Sequence, residues 1–124
     1  MGEETYRVTY TKAFSKEMKE LKETHPKVKK YLDSGAFRNI INLLELDGPS
    51  YHTGGNIKKI KGTNNLYEIR VMLSRPAIRL LFTYDDYNIV FLHFFQKQDN
   101  SDYNHACEVA NRRFKRWKGR DENE

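Results

Sequence analysis

The run IVFLHFF, from Ile89 to Phe95, constrains this chain more than any other stretch. It is the longest apolar run, yet far shorter than the roughly 20 residues of a membrane-spanning helix. A strand turns successive side chains to opposite faces, so one that is apolar on both must be covered on both. The run therefore predicts a central strand with a packed layer above and below it. His93 alone interrupts it, and a hydrogen-bonded core histidine is the first expectation there.

Two further strands should precede it. Tyr67, Ile69, Val71 and Leu73 alternate with Glu68, Arg70 and Met72, and Ile78, Leu80, Phe82 and Tyr84 alternate with Arg79, Leu81 and Thr83. SRPA separates these two segments, and YDDYN supplies a hairpin turn before Ile89. Near the N-terminus, Tyr6, Val8 and Tyr10 alternate in the same way. Phe14, Met18 and Leu21 then fall at helical spacing, with lysines and glutamates on the opposite face. Pro26 breaks that helix, and Thr24 or His25 can cap the next one. The second helix carries Val28, Leu32, Ile40, Leu43 and Leu44, with Gly35 as a kink or split point. A lysine-rich loop follows HTGGN. The last helix starts near Asp102, presents Tyr103, Cys107, Ala110, Phe114 and Trp117, and ends at Gly119. The expected architecture is α+β: a small, mostly antiparallel sheet packed against two N-terminal helices and a C-terminal helix. Residues 1–124 read as one domain, with an acidic tail from about 119 to 124 expected to fray.

Charge narrows the partners. The chain carries 22 Lys and Arg against 17 Asp and Glu, a formal +5. That surplus favours polyanions through long-range attraction. Cys107 is the only cysteine, which leaves no disulfide framework or cysteine-rich metal site. His25, His52 and His105 have no partner at metal-ligand spacing, and Asp85 and Asp86 read as turn residues, so neither metal nor cofactor is expected. MGEETYRV has neither the basic nor the apolar region of a secretion signal, so the expected location is the cytoplasm, off the membrane.

The cations inside the strands pose the functional question. Arg70 and Arg79 can be a solvated face neutralised by Glu68, Lys97 an ordinary strand-end lysine, and Tyr103 simple packing. Their order says more. IKGTNNLYEIRV, AIRLLFTYDDYNIVFLHFFQKQ and ANRR, read together, resemble the RelE/ParE superfamily of type II toxins, especially its HigB-like branch. The similarity runs from Ile60 to Arg113, while the first sixty residues share only the strand–helix–helix order.

The resemblance implies a RelE-like fold and a metal-independent endonuclease that cuts messenger RNA on the ribosome, held in check by a cognate antitoxin. It places the strand cation on Arg70, the key arginine on Arg79, the cation after the central strand on Lys97, and the catalytic tyrosine on Tyr103. Three departures stand out: Glu68 occupies a position where RelE-like enzymes carry lysine, Lys97-Gln98 replaces a basic pair of HigB-like relatives, and Tyr103 stands where those relatives often carry proline. The chemistry agrees with these residue types. RNA is cut when its 2′-hydroxyl attacks the adjacent phosphorus, so the protein must hold geometry and stabilise developing charge. Arg79 suits bidentate phosphate contact, and Lys97 a second contact. Tyr103 acts as base or stacking platform, its phenolate favoured by Arg70, Arg79 and Lys97. His93, on the parity of Phe95 and Lys97, is a reserve acid–base group. Lys58, Lys59 and Lys61 would grip the flanking RNA backbone. The cationic face is expected to lie open, opposite the helices. A ParE-like inhibitor of DNA gyrase and a binding module without nuclease activity are the alternatives.

Overall fold

The computed structural model describes residues 5–52, 56–71, 77–98 and 101–119. Its centre is β5 (Asn88–Gln96), which has β4 (Ile78–Asp85) antiparallel on one side and β1 (Arg7–Tyr10) parallel on the other. A two-residue turn joins β4 to β5, and Asp86 adopts a φ of 54° there. Aspartate tolerates that left-handed conformation because its short polar side chain can bond locally. β3 (Tyr67–Arg70) pairs antiparallel with β4, and β2 (Ile57–Lys59) antiparallel with β3. The order across the sheet is β1-β5-β4-β3-β2. The lysine-rich segment expected as a loop thus begins as an edge strand, too short at three residues for alternation to reveal it.

A parallel partner for β5 requires a crossover, and three helices supply it. They are α1 (Lys12–Thr24), α2 (Pro26–Leu32) and α3 (Gly35–Asp47). Thr11 caps α1 by accepting from the Phe14 amide at 3.1 Å, and its hydroxyl donates to the Phe91 carbonyl. Pro26 opens α2 at the position where a missing N–H does no harm. Ser34 caps α3 through the Phe37 amide, which is why the expected second helix divides beside Gly35. After α3 the chain turns at Gly48, with φ of 57°, where a Cβ would enter the Tyr6 ring.

β5 is covered on both faces, as its composition requires: Ile89 through Leu92 are fully buried. On one side Phe14, Val28, Leu32, Ile40 and Leu44 meet Ile69, Leu80, Phe82, Phe91 and Phe94. On the other, α4 (Asp102–Lys118) lays Ala106, Ala110 and Trp117 against Leu81, Val90 and Leu92. Each large apolar side chain buried this way contributes about 1.5–3 kcal/mol. The chain is therefore α+β, a five-stranded, mostly antiparallel sheet between helices, consistent with a RelE-like fold. Among the described residues no helix is long and apolar enough to cross a membrane. Met72 and Leu73, the Ser74, Arg75 and Pro76 of SRPA, and the tail beyond Gly119 lie outside the described residues, while Gly119 itself ends α4.

One irregularity matters for function. The β4–β5 register shifts between Leu81 and Phe82, so Leu81 faces His93 while Phe82 faces Phe91. Leu92 is the extra residue of a bulge, and bulges re-aim side chains. Without it, alternation would send His93 into the core beside Phe91. With it, both Leu92 and His93 turn toward α4.

Candidate functional site

Directly opposed residues in an antiparallel pair share a face. Arg70 lies opposite Arg79, and Lys58 opposite Glu68. Arg79 and Glu68 alternate with the core residues Leu80 and Ile69, so these four charged side chains belong to the α4 side of the sheet. The Lys97 amide donates to the Ala77 carbonyl at 2.8 Å, extending the β4–β5 ladder one step and keeping Lys97 in phase with Phe95, the partner of Arg79. The expectation of an open face opposite all the helices needs correction. α4 crosses this same face over β4 and β5, and Tyr103 in its first turn reaches β3. Lys59 lies opposite Tyr67 and so belongs to the other face, and Lys61 follows on an exposed turn.

Glu68 is the hub, with only 5 % of its surface exposed. The Tyr103 hydroxyl donates to its Oε1 at 2.7 Å, and Arg79 Nε stands 3.3 Å from the same oxygen. The arginine is placed as an ion pair but is not aligned as a hydrogen bond, and its Nη1 donates to the Ile78 carbonyl instead. Arg70 Nε is also buried without a hydrogen-bond partner among the described residues. One carboxylate thus answers for several cations, and the face keeps a surplus of positive charge.

Tyr103 is not primed as a phenolate. Burial raises its pKa, the hydrogen bond to Glu68 raises it further, and the opposing influence of Arg79 does not offset them. The sequence-based expectation that the cations would favour its phenolate is overturned because burial, and then the hydrogen bond to Glu68, outweigh the effect of Arg79. The ring packs edge-on against Phe95 at 5.2 Å.

His93 belongs to a second cluster. Its Nδ1 lies 2.9 Å from Glu17 Oε2, and Arg113 Nη1 lies 2.9 Å from Glu17 Oε1. The same Glu17 oxygen accepts the Phe94 amide at 3.0 Å, and Arg113 donates to the Leu92 carbonyl at 2.9 Å. The reason is topological. β1 ends opposite Phe91, so the next stretch of β5 has backbone groups with no strand beside them. Glu17 from α1 and Arg113 from α4 fill that role. Burial opposes ionisation of Glu17, but hydrogen bonds from His93 and Arg113 outweigh it and hold the carboxyl below its ordinary range. His93 stacks on Phe95 at 6.2 Å, so one aromatic ring separates the two clusters.

Sequence reasoning anticipated Glu68 as a neutralising charge but not as the acceptor of Tyr103, and it missed Glu17 and Arg113. Glu17 gave no signal: it sits on the polar side of α1, and its partners lie 76 and more residues further on. His52 is likewise structural, its Nε2 2.7 Å from the Tyr84 hydroxyl and its pKa lowered by burial. Among the described residues no three His, Cys, Asp or Glu side chains come together as a metal site.

The family model described as Phage derived protein Gp49-like (DUF891) matches residues 19–115, from the middle of α1 to near the end of α4. Comparison with curated proteins and with solved structures gave no match. A match across most of the chain, on an α+β sheet of this order, establishes membership: the chain belongs to the phage-derived Gp49-like family, a RelE-like family of toxin type.

Proposed function

We propose that this protein is the toxin of a toxin–antitoxin pair and cleaves messenger RNA on the ribosome without a metal. One observation carries the reading: Arg70 and Arg79 stand side by side on the face that also receives Tyr103. Two guanidiniums offer planar donors to successive phosphate oxygens, and charge that develops at phosphorus during 2′-hydroxyl attack is stabilised there. Lys97 and Lys58 extend the positive field along the same face. Arg79 and Tyr103 form the reacting centre, with Arg70 and Lys97 holding the phosphates on either side. A basic face of this kind also suits neutralisation by an acidic antitoxin segment, which complementary charge would steer onto it quickly.

Primer extension on a translated message tests the reading. The wild-type chain should cut, and Arg79→Lys, which keeps the charge but loses the fork, should cut about 10²-fold more slowly. Tyr103→Phe should lose a similar factor while still binding ribosomes. A binding-only module is the second reading, favoured by the neutral Tyr103 already engaged with Glu68. Ribosome binding with no cleavage would establish it. Inhibited supercoiling with no effect on message would instead establish a gyrase inhibitor.

A further inference from the structure

The bond between Tyr103 and Glu68 runs the wrong way for a tyrosine base and the right way for a relay. The hydroxyl gives its own proton to a carboxylate 2.7 Å away, and with Arg79 donating to its oxygen one lone pair is left to accept another proton. Burying a carboxylate to this extent carries a desolvation cost that a glutamine would largely avoid while still accepting the tyrosine hydrogen bond. The ionised form therefore has a use beyond orienting the ring. We infer that Glu68 is the final proton acceptor behind Tyr103, an inference that rests on the nuclease reading above.

The step balances without any further reagent. The substrate 2′-hydroxyl passes its proton to the Tyr103 oxygen as Tyr103 passes its own to Glu68 Oε1. The O2′–P bond forms, the P–O5′ bond breaks, and the leaving 5′-oxygen takes a proton from water. The products are a 2′,3′-cyclic phosphate and a 5′-hydroxyl, and Glu68 later returns its proton to solvent. Tyr103 remains a phenol at both ends of the step, so its raised pKa is no obstacle. The geometry adds a second effect. Arg79 Nε is 3.3 Å from the same carboxylate oxygen, so protonating Glu68 removes the negative charge that Arg79 answers in the resting state. Its full charge then turns to the phosphorus centre as negative charge builds there.

Glu68 does not touch the substrate; it is a positioning residue with a chemical duty, and pH should expose it. The groups facing it are Arg79 on β4, Lys58 on β2, Arg70 on its own strand, and Tyr103 and Cys107 on α4. The experiment measures single-turnover cleavage of ribosome-bound message between about pH 5.5 and 9. The wild type should be nearly flat across this span. Glu68→Gln should fall about 10²-fold at neutral pH, and its rate should climb close to tenfold per pH unit because only an ionised phenol or hydroxide is left as base. Glu68→Asp should restore the flat profile at a reduced rate. Should Glu68→Gln fold poorly, Glu68→Asp carries the cycle instead: in a relay, Tyr103→Phe and the double variant Tyr103→Phe/Glu68→Asp cut equally slowly. A Glu68→Gln profile that is merely scaled down, or additive losses in the cycle, overturns the relay alone. No cleavage by the wild type overturns the relay together with the nuclease reading.

Discussion

Glu17→Ala should be among the most damaging single changes outside the apolar core. The substitution removes the carboxylate that the Phe94 amide, the Arg113 guanidinium and the His93 ring share, and leaves Arg113 only the Leu92 carbonyl and the His93 ring. A hydrogen bond to a charged group contributes about 1.5–3 kcal/mol when fully buried. Here the Glu17 and Arg113 side chains are each 23 % exposed, so water recovers part of that, and about 3 kcal/mol is a fair sum for the three. With 124 residues and about 2.1 cal/mol/K of unfolding entropy for each, the melting temperature should fall by about 12 °C. Glu17→Gln keeps a carbonyl for the Phe94 amide and should lose about half as much. The pH dependence follows from the depressed Glu17 pKa. Its contribution is present above the ordinary carboxylate value near ~4.3 and disappears as pH falls through the lower folded value. The gap between wild type and Glu17→Gln should therefore close below about pH 4. Thermal melts and urea titrations at several pH values measure both effects. A Glu17→Ala loss under about 4 °C at neutral pH would show that β5 does not depend on this substitute for a neighbouring strand.

The other outcomes are quickly tested. Gly48→Ala should cost about 2–4 kcal/mol, since φ is 57° and the new Cβ meets the Tyr6 ring; an unchanged urea midpoint would refute it. Arg79→Ala should cost about 2–3 kcal/mol by stranding the buried Glu68 carboxylate, whereas Arg70→Ala, with no ion-pair carboxylate among the described residues, should cost under about 1. Equal melts for these two would sink the pairing. Burial raises the pKa of Tyr84 and of Tyr10, so their contribution is complete below the ordinary phenol value and should drain away as pH rises past about 10. Alkaline stability that is flat through that range in urea titrations would contradict it.

The central strand, the hairpin before it and the helix that covers it were legible because their signals are local. Seven residues of β5 demand two covered faces, and the period of two assigns Arg70 and Arg79 to one side without any coordinates. Lys97 could be placed by the same counting. β2 was not legible: its Ile57 is followed by two lysines, and its pairing with Ile69 is set by the turn between them. The bulge at Leu92 was equally hidden, because it arises from fitting β5 to β4 and leaves no mark in composition. The carboxylates were hidden for another reason. Glu17 and Glu68 look like solvent-facing residues in their own segments, and only the packing of α1 and α4 shows which donors they serve. The cationic half of the candidate site was thus open to one-dimensional reading, and the anionic half was a property of three dimensions.

The parallel pairing of β1 with β5 has a consequence for how the molecule assembles. The Thr11 hydroxyl and the Phe91 carbonyl that it meets are 80 positions apart along the chain. Bringing such distant points together costs about 4 kcal/mol in loop entropy before any contact repays it. The β4–β5 hairpin, closed by two residues, has no such barrier and should form first, in microseconds. β1 and its helices, though made earlier, must wait for that hairpin, since β5 is the surface on which they settle. α4 is made later still, and it delivers Tyr103. A growing chain therefore holds Arg79 well before it holds a finished candidate site. Under the nuclease reading proposed above, cutting cannot begin until the message that encodes α4 has been read.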